Sequence, residues 1–193
     1  MNIAFDVDGV VLKSIEIILR HINRTKGRNL TPEDLLTWEL EPLNLDRDTL
    51  LDAAKHMYAQ PIIEPYEGAS KVLSRIHHIS GKPLLFITGR ADPDSALKQL
   101  RALPWNPTIP EMVVTGGDRN KSDYLLETSA DFIIEDDPEH LRTYLEMGIG
   151  VGLMVQPWNR NTDIPVTQRF SGWGDVEQWY LGVHGRNSLA RST

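Results

Sequence analysis

Short apolar runs recur along this chain, each followed by a polar cluster and then a helical pattern. The first run, Ile3-Ala4-Phe5, starts almost at the N-terminus and leads into Asp6-Val7-Asp8-Gly9-Val10-Val11. Four more follow: Pro83 to Ile87, Glu111 to Val114, Ala130 to Ile134, and Gly150 to Val155. Each is rich in Ile, Val, Leu or Phe, as expected of strands buried on both faces of a parallel sheet. Helical stretches lie between them. Asp92-Pro93-Asp94 starts one that runs to Leu103, with Pro104 ending it, and Lys121 to Glu127 reads as another. Asp137-Pro138 offers an N-cap and a first-turn proline for a helix through Met147, stopped by Gly148.

Alternation of this kind predicts an α/β fold, a Rossmann-like three-layer α/β/α core around a parallel sheet. Residues 13–80 break the alternation. They contain no convincing strand but several helical faces: Ile15, Ile18, Leu19 and Ile22, then Leu50, Ala53, Ala54 and Met57, then Val72, Leu73 and Ile76. Thr31-Pro32-Glu33-Asp34 reads as a further helix start. The expected organisation is a core of residues 1–12 and 81–182, interrupted by a small helical cap at 13–80. Part of 67–80 serves as the helix returning to the core. Asp175 to Leu181 reads as a short helix, and Trp158, Trp173 and Trp179 are expected to pack on the core. Gly185 to Thr193 is polar and small, and a mobile tail is expected over residues 183–193.

If the sheet is parallel, four strand ends bring polar groups to one edge, where open α/β sheets bind ligands. They are Asp6 and Asp8; Thr88-Gly89-Arg90; Thr115-Gly116-Gly117-Asp118 leading to Lys121; and Glu135-Asp136-Asp137. The set suits phosphoryl transfer, where positioning and charge neutralisation supply most of the catalysis. An aspartate can form a covalent phospho-enzyme, and Thr88 with the Gly89 amide can hold phosphate oxygens. Lys121 supplies a fixed positive charge, and Asp136 can complete the coordination of magnesium.

Each residue also has a plainer reading. Asp8-Gly9 is a common turn dipeptide, and Thr88 can satisfy local backbone groups. Asp137 reads as a helix cap ahead of a ligand, and Asp118 as a cap. Glu135 is a supporting acid or a competing ligand. Arg90 reads equally as a contact to a substrate anion or as a partner for an acid.

Composition narrows the field. The chain has 193 residues, a formal net charge of -7 and no cysteine. Thiolate chemistry and disulfides are excluded, so a metal must use oxygen or imidazole ligands. An acidic protein meeting an anionic substrate needs a metal or a local positive group. Nucleic acid is disfavoured as a partner for want of a basic surface. No run approaches the ~20 apolar residues of a membrane span, and no signal peptide is visible. A cytoplasmic protein without a membrane partner is expected, with a homodimer left open.

The motifs Asp6-Val7-Asp8-Gly9-Val10, Thr88, Lys121 and Glu135-Asp136-Asp137 resemble, in order and spacing, the four motifs of the haloacid dehalogenase (HAD) superfamily. The second acid, Asp8, is similar to that of its phosphatases and phosphotransferases. The resemblance implies an HAD-like fold with a type 1 cap. It implies Asp6 as the nucleophile forming an aspartyl-phosphate, and Asp8 as the general acid and then base. Magnesium would be held by Asp6, the Asp8 backbone carbonyl and Asp136, while Thr88 and Lys121 would bind the phosphoryl group.

A narrower likeness is to the 5'(3')-deoxyribonucleotidases, on Tyr58-Ala59-Gln60-Pro61, Glu64-Pro65-Tyr66-Glu67-Gly68-Ala69 and the segment near Trp173. That group usually follows its motif II threonine with serine and proline; this chain has Gly89 and Arg90. Trp38, Met57 and Tyr58 are candidates for holding a base. The reading that results is a magnesium-dependent phosphomonoesterase acting on a small phosphomonoester, with a nucleotide as the narrower choice. Another phosphomonoester (a sugar phosphate or a polynucleotide end) and a non-catalytic phosphate-binding module remain alternatives. A receiver-type signalling domain is rejected, because Asp48 and Asp52 lie in helical sequence.

Overall fold

In the computed structural model, which describes residues 1–37, 43–105, 108–117 and 120–190, β1 (Ile3–Asp6) sits near the middle of one six-stranded sheet. The other strands are β2 (Leu84–Thr88), β3 (Met112–Gly116), β4 (Phe132–Glu135), β5 (Gly150–Met154) and β6 (Gln168–Phe170). Their order is β3-β2-β1-β4-β5-β6, with every pairing parallel. The chain steps outward from β1 through β2 to β3, then crosses back to β4 on the other flank of β1. That reversal makes the C-terminal end of β1 a topological switch point, where adjacent crossovers diverge and leave a crevice. Register aligns the ends: Asp6 pairs with Ile87, Phe5 with Ile134, and Thr88 with Gly116.

Alternate residues of each central strand feed two apolar layers, as the period of two requires. Phe5, Leu84, Phe86, Phe132 and Ile134 face α3 (Ala69–Ser80), α4 (Pro93–Arg101) and α7 (Trp173–Ala190). Ala4, Leu85, Ile87, Ile133, Val151 and Leu153 face α5 (Lys121–Glu127) and α6 (Pro138–Glu146). The four central strands, β2, β1, β4 and β5, are thus covered on both sides, which accounts for their near-continuous apolar character. In contrast β3, expected to be buried on both faces, is an edge strand that leaves Val113 exposed.

The segment between β1 and α3 holds α1 (Ser14–Lys26), a 3-10 turn (Pro32–Asp34) and α2 (Arg47–Tyr58). Ile15, Leu19, Leu35 and Leu43 form a small core of their own, joined by Trp158 from beyond β5. The helix start read at Thr31 yields only the single turn, in which the Asp34 carboxylate accepts from the Thr31 amide at 2.7 Å. Leu35 then leaves in extended conformation and buries into the small core.

Two further elements differ from expectation. β6 carries one buried apolar residue, Phe170, and owes its strand form to pairing with β5. The last helix is longer than Asp175 to Leu181, because Trp173, Val176 and Tyr180 bury along one face of it and its backbone stays helical to Ala190. Residues 183–190 therefore continue that helix, past the start expected for the tail. Trp38 and Asp118 lie outside the described residues. Among the described residues, no helix is long and apolar enough to cross a membrane.

Candidate active site

The switch point gathers charge. Asp6 ends β1 and is 3% exposed; Glu135 ends β4 and Asp136 follows it, both fully buried. Lys121, the first residue of α5, donates from Nζ to Asp6 Oδ1 at 2.7 Å and to Glu135 Oε2 at 3.0 Å. Carboxylate oxygens of Asp6, Glu135 and Asp136 lie within 4.8 Å of one another. Three carboxylates therefore face one ammonium in a nearly dry crevice.

The electrostatics follow from that ratio. Burial, then the neighbouring Glu135, holds the Asp6 carboxyl well above the usual carboxylate range despite Lys121. Burial, then Asp6 and Glu135, does the same to Asp136. Burial opposes the charge on Lys121, but attraction from Asp6 and Glu135 outweighs it and pushes its pKa well up. Two like charges ~4 Å apart repel by only ~1 kcal/mol in water but by roughly four times that near a protein surface. The cluster calls for a further cation.

Asp136 shows where one would fit. Its Oδ2 accepts from the Trp158 indole N–H at 3.0 Å, whereas Oδ1 is buried without a protein partner. An unpaired buried carboxylate oxygen beside Asp6 offers the hard oxygen donors that magnesium prefers. The acids present fit that ion.

Asp136 also explains Gly9. The Gly9 backbone has φ of +84°, and a Cβ there would lie 2.1 Å from Asp136 Oδ2. The loop stays in place partly because Gln156 Nε2 donates to the Gly9 carbonyl at 2.6 Å. Gly9→Ala should therefore destabilise the protein by about 1–3 kcal/mol through backbone strain, with the added clash on top, as read by urea denaturation.

Glu135 acts as a bracket. Besides gripping Lys121, its Oε1 accepts from the amides of Asp136 at 3.1 Å and Asp137 at 3.3 Å. Asp137 caps α6, its carboxylate accepting from the Glu139 amide at 2.9 Å. Thr88 is buried, and its hydroxyl accepts from the Arg90 amide at 3.2 Å, so motif II closes into a tight turn. Gly89 lies beside Lys121, where a Cβ would stand 3.6 Å from the lysine Cε.

Asp8 is held differently from Asp6. It accepts from Arg90 Nε at 2.8 Å and Nη2 at 2.5 Å, and from the Ser14 hydroxyl. Arg90 is 1% exposed and lies 5.2 Å from the centre of the Tyr58 ring. Of its two readings, pairing with an acid is the one seen. Above these groups opens a chamber of about 300 Å³. Its floor is Asp6, Asp8, Gly89, Arg90 and Lys121, and its walls include Ile15, Ile18, Leu35, Ala54, Met57, Tyr58 and Trp158. The inserted helices supply most of the walls and the strand ends supply the floor.

A model of the family described as 5' nucleotidase, deoxy (pyrimidine), cytosolic type C (NT5C) matches residues 1–186. The chain belongs to this family. No curated protein sequence matches it. Similar solved structures include the HAD-like hydrolase SP0104 from Streptococcus pneumoniae, at TM-score 0.62 and 14% identity, covering 92% of this chain and 97% of that one. CbbY from Rhodobacter sphaeroides, in complex with phosphate, gives 0.61 at 17%, covering 90% and 95%. The HAD hydrolase YfnB from Bacillus subtilis, bound to magnesium, gives 0.58 at 17%, covering 91% and 96%. These likenesses concern the fold, and they agree with the family match. As a member of this nucleotidase family the NT5C-family chain is a phosphoric monoester hydrolase, on a fold shared with those HAD hydrolases.

Sequence reasoning missed several residues that shape the site of this NT5C-family chain. Trp158 does more than pack on the core: its indole N–H reaches Asp136 and its ring lines the chamber. Asn159 donates to the Asp136 carbonyl at 2.7 Å. Ser14 reaches Asp8, and Gln99 reaches Arg90. Trp173 and Trp179 do pack as expected, Trp173 against Phe5 and Trp179 against Phe132 and Phe170.

Proposed function

We propose that the protein is a magnesium-dependent nucleoside monophosphate phosphatase, of 5'(3')-deoxyribonucleotidase type, that works through an aspartyl-phosphate on Asp6. The observation that carries this reading is the Asp6 carboxylate, gripped by Lys121 beside Asp136 at the floor of an apolar chamber. Asp6 attacks phosphorus as the ester P–O bond breaks, and Asp8 delivers a proton to the departing oxygen. Asp8 then takes a proton from water, which attacks phosphorus and frees Asp6 with inorganic phosphate. Lys121, the Thr88 hydroxyl and the Gly89 amide hold the phosphoryl oxygens. Asp6, Asp136 and the Asp8 backbone carbonyl would hold magnesium, which when bound neutralises charge on carboxylate and phosphate. The inserted helices act as the cap, keeping bulk water off the floor.

The leaving group faces Ile15, Ile18, Met57 and Tyr58. Such walls suit the flat face of a base and offer little to a sugar phosphate rich in hydroxyls. The family description and the phosphate and magnesium bound by two fold relatives support the same chemistry. Purified protein should hydrolyse deoxynucleoside monophosphates ahead of sugar phosphates and phosphorylated DNA ends. A panel led by sugar phosphates overturns the substrate, and no turnover of any phosphomonoester overturns the activity. EDTA should abolish turnover and lower Tm, and added magnesium should restore both, because an ion bound only by the folded state stabilises it.

A further inference from the structure

Arg90 does not hold Asp8 unaided. While Nε and Nη2 face Asp8, Nη1 donates to the side-chain oxygen of Gln99 at 2.7 Å and to Ser95 Oγ at 3.3 Å. Gln99 lies on α4 and is 1% exposed. Its amide nitrogen donates to the carbonyls of Gln60 at 2.8 Å, Met57 at 3.2 Å and Tyr58 at 3.4 Å. Those carbonyls belong to the end of α2 and the turn after it, in the inserted helices.

Only one orientation of this carboxamide works. A guanidinium is donor-only and a carbonyl is acceptor-only, so oxygen must face Arg90 and nitrogen must face α2. A buried side chain with both ends engaged this way joins the two groups rigidly. Met57 and Tyr58 also line the chamber above the floor.

We infer that Gln99 is a positioning residue, which registers the end of α2 against Arg90 and through that guanidinium fixes the Asp8 carboxylate in the crevice. The inference rests on the reading of Asp8 as the acid–base group. Gln99 does not itself line the chamber, and the only group through which it reaches Asp8 is the Arg90 guanidinium. Any shift of α2 relative to α4 is felt at Asp8.

The test is steady-state hydrolysis of p-nitrophenyl phosphate with magnesium by full-length Gln99→Met, which keeps the unbranched shape and removes both polar ends. Misplacement of a reacting group by an ångström can cost about a hundredfold, so kcat should fall at least about tenfold. KM should stay within about threefold, since every chamber-lining side chain is kept and Gln99 meets α2 only at main-chain carbonyls. In an Arg90→Met background the same substitution should add no more than about twofold, because one residue works through the other. An independent packing defect would instead multiply the two losses. Gln99→Glu, which keeps an acceptor for Arg90 but turns an oxygen on the α2 carbonyls, replaces Gln99→Met if that variant does not fold, and the same kcat-selective loss is expected. A folded variant with kcat within twofold of wild type, a loss carried by KM, or multiplicative losses would overturn the inference. Wild-type protein inactive on every phosphoester would defeat the phosphatase reading itself.

Discussion

Asp6→Asn should lose turnover of p-nitrophenyl phosphate by on the order of 10⁴-fold or more, as removal of a nucleophile does in other covalent mechanisms. Its thermal stability should be unchanged or higher. An asparagine oxygen keeps the shape and can still accept from Lys121, but it is not a nucleophile toward phosphorus. The stability expectation comes from the crevice. The Asp6 carboxyl is held above its ordinary range by burial and by Glu135, so its charge opposes folding. Removing that charge relieves Glu135 and Asp136 while leaving Lys121 paired with Glu135. Loss of activity without loss of stability is the pattern of a site built for function at the expense of fold. Wild-type turnover by Asp6→Asn would refute the nucleophile assignment.

Lys121→Met should do the reverse to stability. It also abolishes turnover, because the phosphoryl group and Asp6 lose their fixed cation. Here the buried Asp6 and Glu135 carboxylates are left facing each other with no counter-charge. Removing one partner of a buried ion pair costs ~3–5 kcal/mol. For a chain of this size that lowers Tm by roughly 6–20 °C. The figure is an upper bound, since Asp6 can take up a proton in place of the lost ammonium. Thermal melts of the two variants side by side check the opposite signs. A Lys121→Met protein that melts with wild type would show that the ammonium is not holding the acids together.

The fold was legible where neighbours in sequence are neighbours in space. Strands buried on both faces leave continuous apolar runs, and four of the polar clusters after them lie where β1, β2, β3 and β4 end. Asp137-Pro138 marked a helix start by local capping chemistry and does cap α6. What was not legible depends on partners far apart in the chain. β6 has one buried residue and is a strand only because β5 pairs with it. Trp158 reaches Asp136 across 22 positions, and Gln99 reaches Gln60 across 39. Neither leaves a period or a motif. Gly9 reads equally as a turn glycine, and only the approach of Asp136 shows that a side chain there has no room. The pair Gly89-Arg90, a departure from the serine and proline usual in deoxyribonucleotidases, places the guanidinium that grips Asp8.

Covalent capture bears most directly on whether Asp6 is the group that meets phosphorus. Protein quenched in acid during steady-state turnover with magnesium, digested and analysed by mass spectrometry, should carry one phosphoryl group on the peptide beginning at Met1, located at Asp6. A phosphoryl group found on any other residue would contradict that chemistry.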